Sequence, residues 1–177
     1  MAIANDIRIY KGEAITFYFG MAPSTFTTQA VGAGATTLPV VSTAGFATSG
    51  TAYMLVGSTV TAVTYTGVSP TSLTGCANVP ASSLSGALVT SGGTNINGWT
   101  ITLTIRSNAN DAATVLSVTP ATITSAAGGI FALSLTSTQT KTTLGVNTFA
   151  YDVQRVDAGF ESVLSIGELF VGQEVLY

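Results

Sequence analysis

The chain has 177 residues, enough for one sizeable core or two small ones, and 46% of them are hydrophobic. Only 7% are charged, against roughly 25% in an average soluble domain, so much of the surface is expected to meet another protein, although a secreted or surface-layer protein has the same profile. The five cations (Arg8, Lys11, Arg106, Lys141, Arg155) are dispersed under a net charge of −3, which leaves no basic footprint for nucleic acid.

No apolar run reaches the ~20 residues of a spanning helix, so a membrane partner is not expected despite a mean hydropathy of +0.51. Met1-Ala2-Ile3-Ala4-Asn5-Asp6 lacks a basic region followed by an apolar run, so no signal peptide is expected. Histidine is absent, which removes His-assisted nucleophilic catalysis and the commonest general base and metal ligand. The lone cysteine, Cys76, has no intramolecular disulfide partner and reads as a small buried hydrophobe.

In chain order the dominant period is two, which predicts strands. Ile15, Phe17 and Phe19 alternate with Thr16 and Tyr18. From about Pro23 to Asn97 runs a Gly/Ser/Thr/Ala-rich stretch almost without charge. Within it, residues 34–40 predict a short strand, Ala44-Gly45-Phe46 a turn and Thr51–Val56 a strand. Thr61–Val68 and Ser72–Cys76 predict two more strands about a turn at Ser69-Pro70. Trp99, Ile101, Leu103 and Ile105 alternate with threonines and Arg106, a half-buried strand of β-branched residues. Phe131, Leu133 and Leu135 follow Gly128-Gly129 in the same way, and Thr136–Leu144 offers one short turn or 3₁₀ segment. Phe149, Tyr151 and Val153 share a face with Asp152 and Gln154 opposite. Leu164 and Ile166 fall in one register and Leu169 and Val171 in the other, predicting a bulge at Gly167-Glu168.

The expected architecture is therefore all-β. It is an Ig-like antiparallel β-sandwich of residues 1–22 plus 98–177, interrupted by a small β-domain of residues 23–97 at a hairpin tip, where an insertion is tolerated.

The outer pieces resemble the N-terminal domain of the phage baseplate upper protein family. Arg8-Ile9-Tyr10-Lys11-Gly12-Glu13-Ala14-Ile15-Thr16-Phe17 looks like that family's opening strand and basic-Gly-acidic turn. The strand Trp99–Arg106, the block Gly129–Thr136, Phe149–Val153 and Val163–Val171 follow in the family's order, about 95 residues in all. The middle segment departs from that domain and is similar to a module of phage structural proteins. The resemblance implies an Ig-like sandwich serving as an attachment platform. The family continues into a helical stalk and a receptor-binding region, whereas this sequence runs to Tyr177 with neither, so a self-contained decoration protein is expected.

Candidate chemistry is sparse. Asp152 beside Tyr151 reads as a polar-face carboxylate, and Asp111 after Asn108-Ala109-Asn110 as an ordinary turn, since the run lacks the glycine and distal glutamate of a calcium loop. Asp157 and Glu161 flank Gly159-Phe160 with the spacing of two solvated hairpin acids more than of a glycosidase pair. Lys11 and Glu13 are expected to form a surface pair, and Trp99 to anchor the core. Phe26, Phe46, Tyr53 and Tyr65 are read mostly as the core of the insertion, with one or two free to form a contact patch.

No catalytic, cofactor-binding or metal residue is assigned, no cofactor is expected, and an enzyme is not. The sequence-level expectation is a virion protein made in the host cytoplasm, namely a capsid decoration or cement protein. It would bind the major capsid protein or other virion proteins, as a homo-oligomer with a trimer at a threefold position the expected form. Its termini, Met1–Asp6 and Gly172–Tyr177, would serve as strand-adding arms. A tail, neck or baseplate adaptor and a carbohydrate-binding adhesion module are the alternatives.

Overall fold

A computed structural model of the chain describes residues 3–4, 6–21 and 23–173. The fold is nearly all β, sandwich-like, and built from several sheets. The N-terminal strands are β1 (Ile3–Ala4), β2 (Ile7–Tyr10) and β3 (Ile15–Gly20). The glycine- and threonine-rich middle forms β4 (Ser24–Phe26), β5 (Thr37–Pro39), β6 (Gly50–Val56), β7 (Thr59–Tyr65), β8 (Gly67–Ser69), β9 (Ser72–Thr74) and β10 (Leu88–Thr90). The rest forms β11 (Ile101–Arg106), β12 (Thr114–Val118), β13 (Thr122–Ser125), β14 (Ile130–Leu135), β15 (Asn147–Arg155) and β16 (Ser162–Gly172). Where one short turn or 3₁₀ segment was expected, Gln139–Leu144 forms a π-helical turn that buries Thr140 and Leu144.

Two compact units emerge. The first takes residues 1–18, 98–122 and 132–177, and the second 19–97 and 123–131.

The first unit holds a six-stranded sheet in the order β1-β16-β15-β11-β12, with β2 also on β16. It is mixed, because β1 and β2 both run parallel to β16. Alternation decides its two faces. Ile101, Leu103 and Ile105 pair along β15 with Arg155, Val153 and Tyr151, and all of these but Arg155 are buried, as are Phe149, Leu169, Val171 and Ile9. The opposite face carries Thr102, Thr104, Arg106, Ala150, Asp152, Gln154, Ile166 and Glu168.

The expected bulge moves. Tyr151↔Gly167 and Ala150↔Glu168 pair without interruption, and the register shifts instead between Val153↔Ser165 and Gln154↔Val163. The residue passed over is Leu164. Ser165 is therefore the buried side chain and Ile166 is 46% exposed, the reverse of what apolar character alone predicts. Of the two expected arms, residues 1, 2, 5 and 174–177 lie outside the described residues, and Ile3–Ala4 pairs with β16 of the same chain.

The second unit contains the sheets β4-β10-β6-β7 and β5-β9-β8. Leu38, Val40, Ala52, Met54, Val63, Tyr65, Leu73 and Val89 form its core, with Phe46 packed against them. The β6–β7 hairpin closes over Gly57-Ser58, and Gly57, at φ +62°, fills the first loop position where a primed turn needs a positive φ. Buried threonines serve this unit as internal hydrogen-bonding groups. Thr90 Oγ1 donates to the Gly128 carbonyl (2.6 Å), and Thr27 Oγ1 accepts the Ala87 N–H (3.0 Å). Cys76 is buried here, its Sγ donating to the Leu73 carbonyl, and burial pushes the thiol pKa up, which keeps it protonated and inert. Of the aromatics Phe26, Phe46, Tyr53 and Tyr65, Phe26 is the one left exposed (50%), because Thr25 and Thr27 on either side of it point inward on β4 and its flank.

Candidate functional site

The clearest surface constellation lies in the first unit, where the chain turns between β15 and β16. Arg155 ends β15, and its guanidinium sits over the Trp99 ring (4.2 Å to the centroid) and the Phe160 ring (4.7 Å). Its Nε donates to Asp157 Oδ2 at 2.7 Å. Asp157 Oδ1 accepts the Thr100 N–H at 2.9 Å, and the turn closes through the Phe160 N–H on the Asp157 carbonyl (2.9 Å).

Each part of this cluster constrains the next. The carboxylate aims the guanidinium, the guanidinium holds two rings, and the Thr100 contact ties the turn to the segment leading into β11. Phe160 nevertheless stays 63% exposed, with Val156 (40%) and Val163 (46%) exposed at the same end of the hairpin. Trp99, expected as a core anchor, is only half-buried because it precedes β11 and faces Arg155. Aromatic side chains with arginine are the types that dominate binding energy at protein interfaces.

Asp157 is poorly suited to acid catalysis. The hydrogen bond from Arg155, followed by those from Thr100, lowers its pKa below the ordinary 3.8, whereas a general acid needs a raised one. A depressed folded-state pKa contributes stability that is present above the unfolded value and lost as pH falls through the folded one. The thermal midpoint of the wild type is therefore expected to exceed that of Asp157→Asn at pH 6, with the gap closing as pH drops below about 3.8. Parallel melts of both proteins from pH 6 to pH 2 check this, and a gap that stays constant would contradict it. Glu161, exposed, has no ion pair at this turn among the described residues.

The other weighed residues are dispersed. Asp152 and Tyr151 point to opposite faces of β15, Tyr151 into the core, where burial raises its pKa. Asp152 is paired with Arg106 and is only 7% exposed, far more buried than a polar-face carboxylate is expected to be. Asp111 Oδ1 accepts the Ala113 N–H (3.1 Å) and Asn108 Oδ1 the Asn110 N–H (3.0 Å), so both side chains cap their own turn. The expected Lys11–Glu13 pair is replaced: Glu13 accepts the Tyr10 N–H at 3.2 Å, and the ion pairs among the described residues are Arg106–Asp152 and Arg155–Asp157. The described residues contain no cluster of three or more metal-ligating side chains and no helix long and apolar enough to cross a membrane.

Sequence reasoning passed over Arg155 and Phe160 as interacting groups. The available signal was a lone arginine two residues before an acid, in a chain with five cations. No protein-family model matches the chain, and no curated protein matches it.

Proposed function

We propose that this chain is a structural protein of a tailed-phage virion, and within that class a decoration or cement protein that binds neighbouring coat subunits. The observation that carries the reading is the rigidly braced, exposed aromatic cluster Trp99–Arg155–Phe160 on a chain otherwise poor in charge. Such a surface works by burial against another protein, since a preorganised aromatic loses little entropy on docking. The ordered blocks from Arg8 to Val171, similar to a phage attachment domain, supply the virion part of the reading.

Quantitative mass spectrometry of purified phage particles tests it. Hundreds of copies per particle support cement, tens of copies move the chain to the tail, neck or baseplate, and absence from particles rules the virion reading out. A glycan array with reproducible hits would favour the adhesion alternative.

Phe160→Ala refines the test. Because the ring is 63% exposed and loses only its contact with Arg155, folding stability is expected to fall by about 0.5–1 kcal/mol. An interface anchor costs about 2 kcal/mol or more when truncated, roughly 30-fold in affinity, so retention on washed particles should drop sharply. Full retention of the variant would remove the cluster from the interface.

A further inference from the structure

Asn97 and Gly98 form the chain's single Asn-Gly pair, in a turn that leaves both residues exposed. Asn97 closes the segment 19–97 of the second unit, and Gly98 opens the segment 98–122 of the first. The residues on either side are fastened. Ile96 is fully buried, and its N–H donates to the Ala126 carbonyl (3.1 Å). Trp99 lies under Arg155, and Asp157 holds the Thr100 N–H. The pair itself is held by little. The Asn97 N–H donates to Asn95 Oδ1 (3.0 Å), while the Asn97 side chain and the Gly98 N–H have no hydrogen-bond partner among the described residues.

Those two free groups can react with each other. A backbone nitrogen attacks the side-chain amide carbon of the asparagine before it when the N–H and the amide are both unengaged and no side chain shields the approach. Gly98 has no side chain, and a Cβ built there would meet nothing within 4 Å. Every other described asparagine fails on one count. Asn95 Oδ1 accepts the Asn97 N–H, and the next N–H, that of Ile96, is engaged. Asn108 Oδ1 accepts the Asn110 N–H (3.0 Å), and the Asp111 N–H that follows Asn110 donates to the Asn108 carbonyl (3.2 Å). Asn147 Oδ1 already accepts the Thr148 N–H (2.8 Å). Asn78 precedes Val79, which is β-branched and buried.

We propose that Asn97 is a site of spontaneous covalent modification in the folded protein, converting to aspartate and isoaspartate. The Gly98 nitrogen gives its proton to solvent base and bonds to Asn97 Cγ. The Cγ–Nδ2 bond breaks, and Nδ2 takes up a proton from water and leaves as ammonia, which closes a cyclic imide. Water then opens the imide at one of its two carbonyls. Addition at Cγ gives aspartate. Addition at the main-chain carbonyl carbon gives isoaspartate, whose main chain runs through Cγ and is longer by one methylene. Water is the only co-reactant. Either product adds one negative charge, two residues from Trp99, to a chain whose net charge is −3. The inference stands apart from the virion reading, and its test uses the isolated chain, so either can fail alone.

The test incubates the folded full chain in mildly alkaline buffer. Isoelectric focusing follows its charge, and peptide mapping by electron-transfer mass spectrometry separates aspartate from isoaspartate. An acidic species is expected to accumulate, with the conversion at Asn97 and isoaspartate in excess. Hydroxylamine, which cleaves the cyclic imide, should release the fragments 1–97 and 98–177. Asn97→Gln, a conservative change at an exposed position, should keep the fold and abolish both the acidic shift and the cleavage, because glutamine would have to close a larger ring. Since the pair is open in the folded chain, unfolding in urea should speed the conversion by less than about tenfold. A folded chain that stays unconverted, an acidic shift that persists in Asn97→Gln, or an acceleration in urea of more than about tenfold would each overturn the proposal.

Discussion

Phe131→Ala is expected to destabilise the second unit by about 3–5 kcal/mol, the scale for deleting a buried phenylalanine side chain. The ring is 1% exposed and stacks on Phe19 with centroids 5.3 Å apart and planes 10° apart. Both residues belong to the second unit, but one enters it at its first residue and the other leaves it at the end of the segment 123–131. Their contact therefore joins two stretches distant in sequence, and truncation removes packing that no local structure replaces. Urea unfolding followed by tyrosine and tryptophan fluorescence and by circular dichroism measures the loss as a lower midpoint. With slopes of about 1–3 kcal/mol/M for small proteins, the shift should reach or exceed about 1 M. Phe131→Leu, which keeps most of the volume, should recover the larger part. A loss below about 1 kcal/mol for Phe131→Ala would mean that the stacked pair does not hold this unit together.

The second large effect is expected at Gly92. Its φ is +68°, and a Cβ there would run into the Tyr53 ring and approach the Ala127 carbonyl oxygen at 3.3 Å. Gly128 meets the same ring, with its Cβ position 2.9 Å from Tyr53 Cβ and Cγ. Tyr53 thus packs against two glycines, which no β-propensity scale anticipates. Gly92→Val combines a left-handed backbone penalty of about 1–2 kcal/mol with overpacking of about 1–3 kcal/mol, so about 2–5 kcal/mol is expected. Gly57→Ala is the control: its φ is +62° but nothing lies within 4 Å, so only the backbone part, about 1–2 kcal/mol, should appear. Equal losses in the two variants would show that the contact with Tyr53 contributes nothing.

Much of the strand layout was legible in the chain because alternation reports burial wherever one face is dry. Ile101, Leu103 and Ile105, and likewise Phe149, Tyr151 and Val153, are buried where alternation places them. The hairpin turn at Ser69-Pro70 and the strand Gly50–Val56 also lie close to where their residues predict them. The same reasoning missed on β16, where Ser165 is inside and Ile166 outside, because pairing with β15 and β2 overrides the preference of any one side chain. Which of the middle segment's aromatics would be exposed stayed open, and Phe26 is the one, because Thr25 and Thr27 turn inward to satisfy loop N–H groups from Ser42 and Ala87, a need that exists only once those loops arrive. The segment 123–131, read from sequence as part of the outer sandwich, clusters with the second unit.

Composition and period by themselves determined an all-β chain poor in charge and without histidine, since these follow from residue type and spacing. Only the tertiary structure decided which charges meet. Arg106 and Asp152 become partners through the β11–β15 register, and Arg155 joins Trp99 because Ile101 pairs with Arg155. Long-range register is set by packing summed over the whole sheet, so single residues do not announce it.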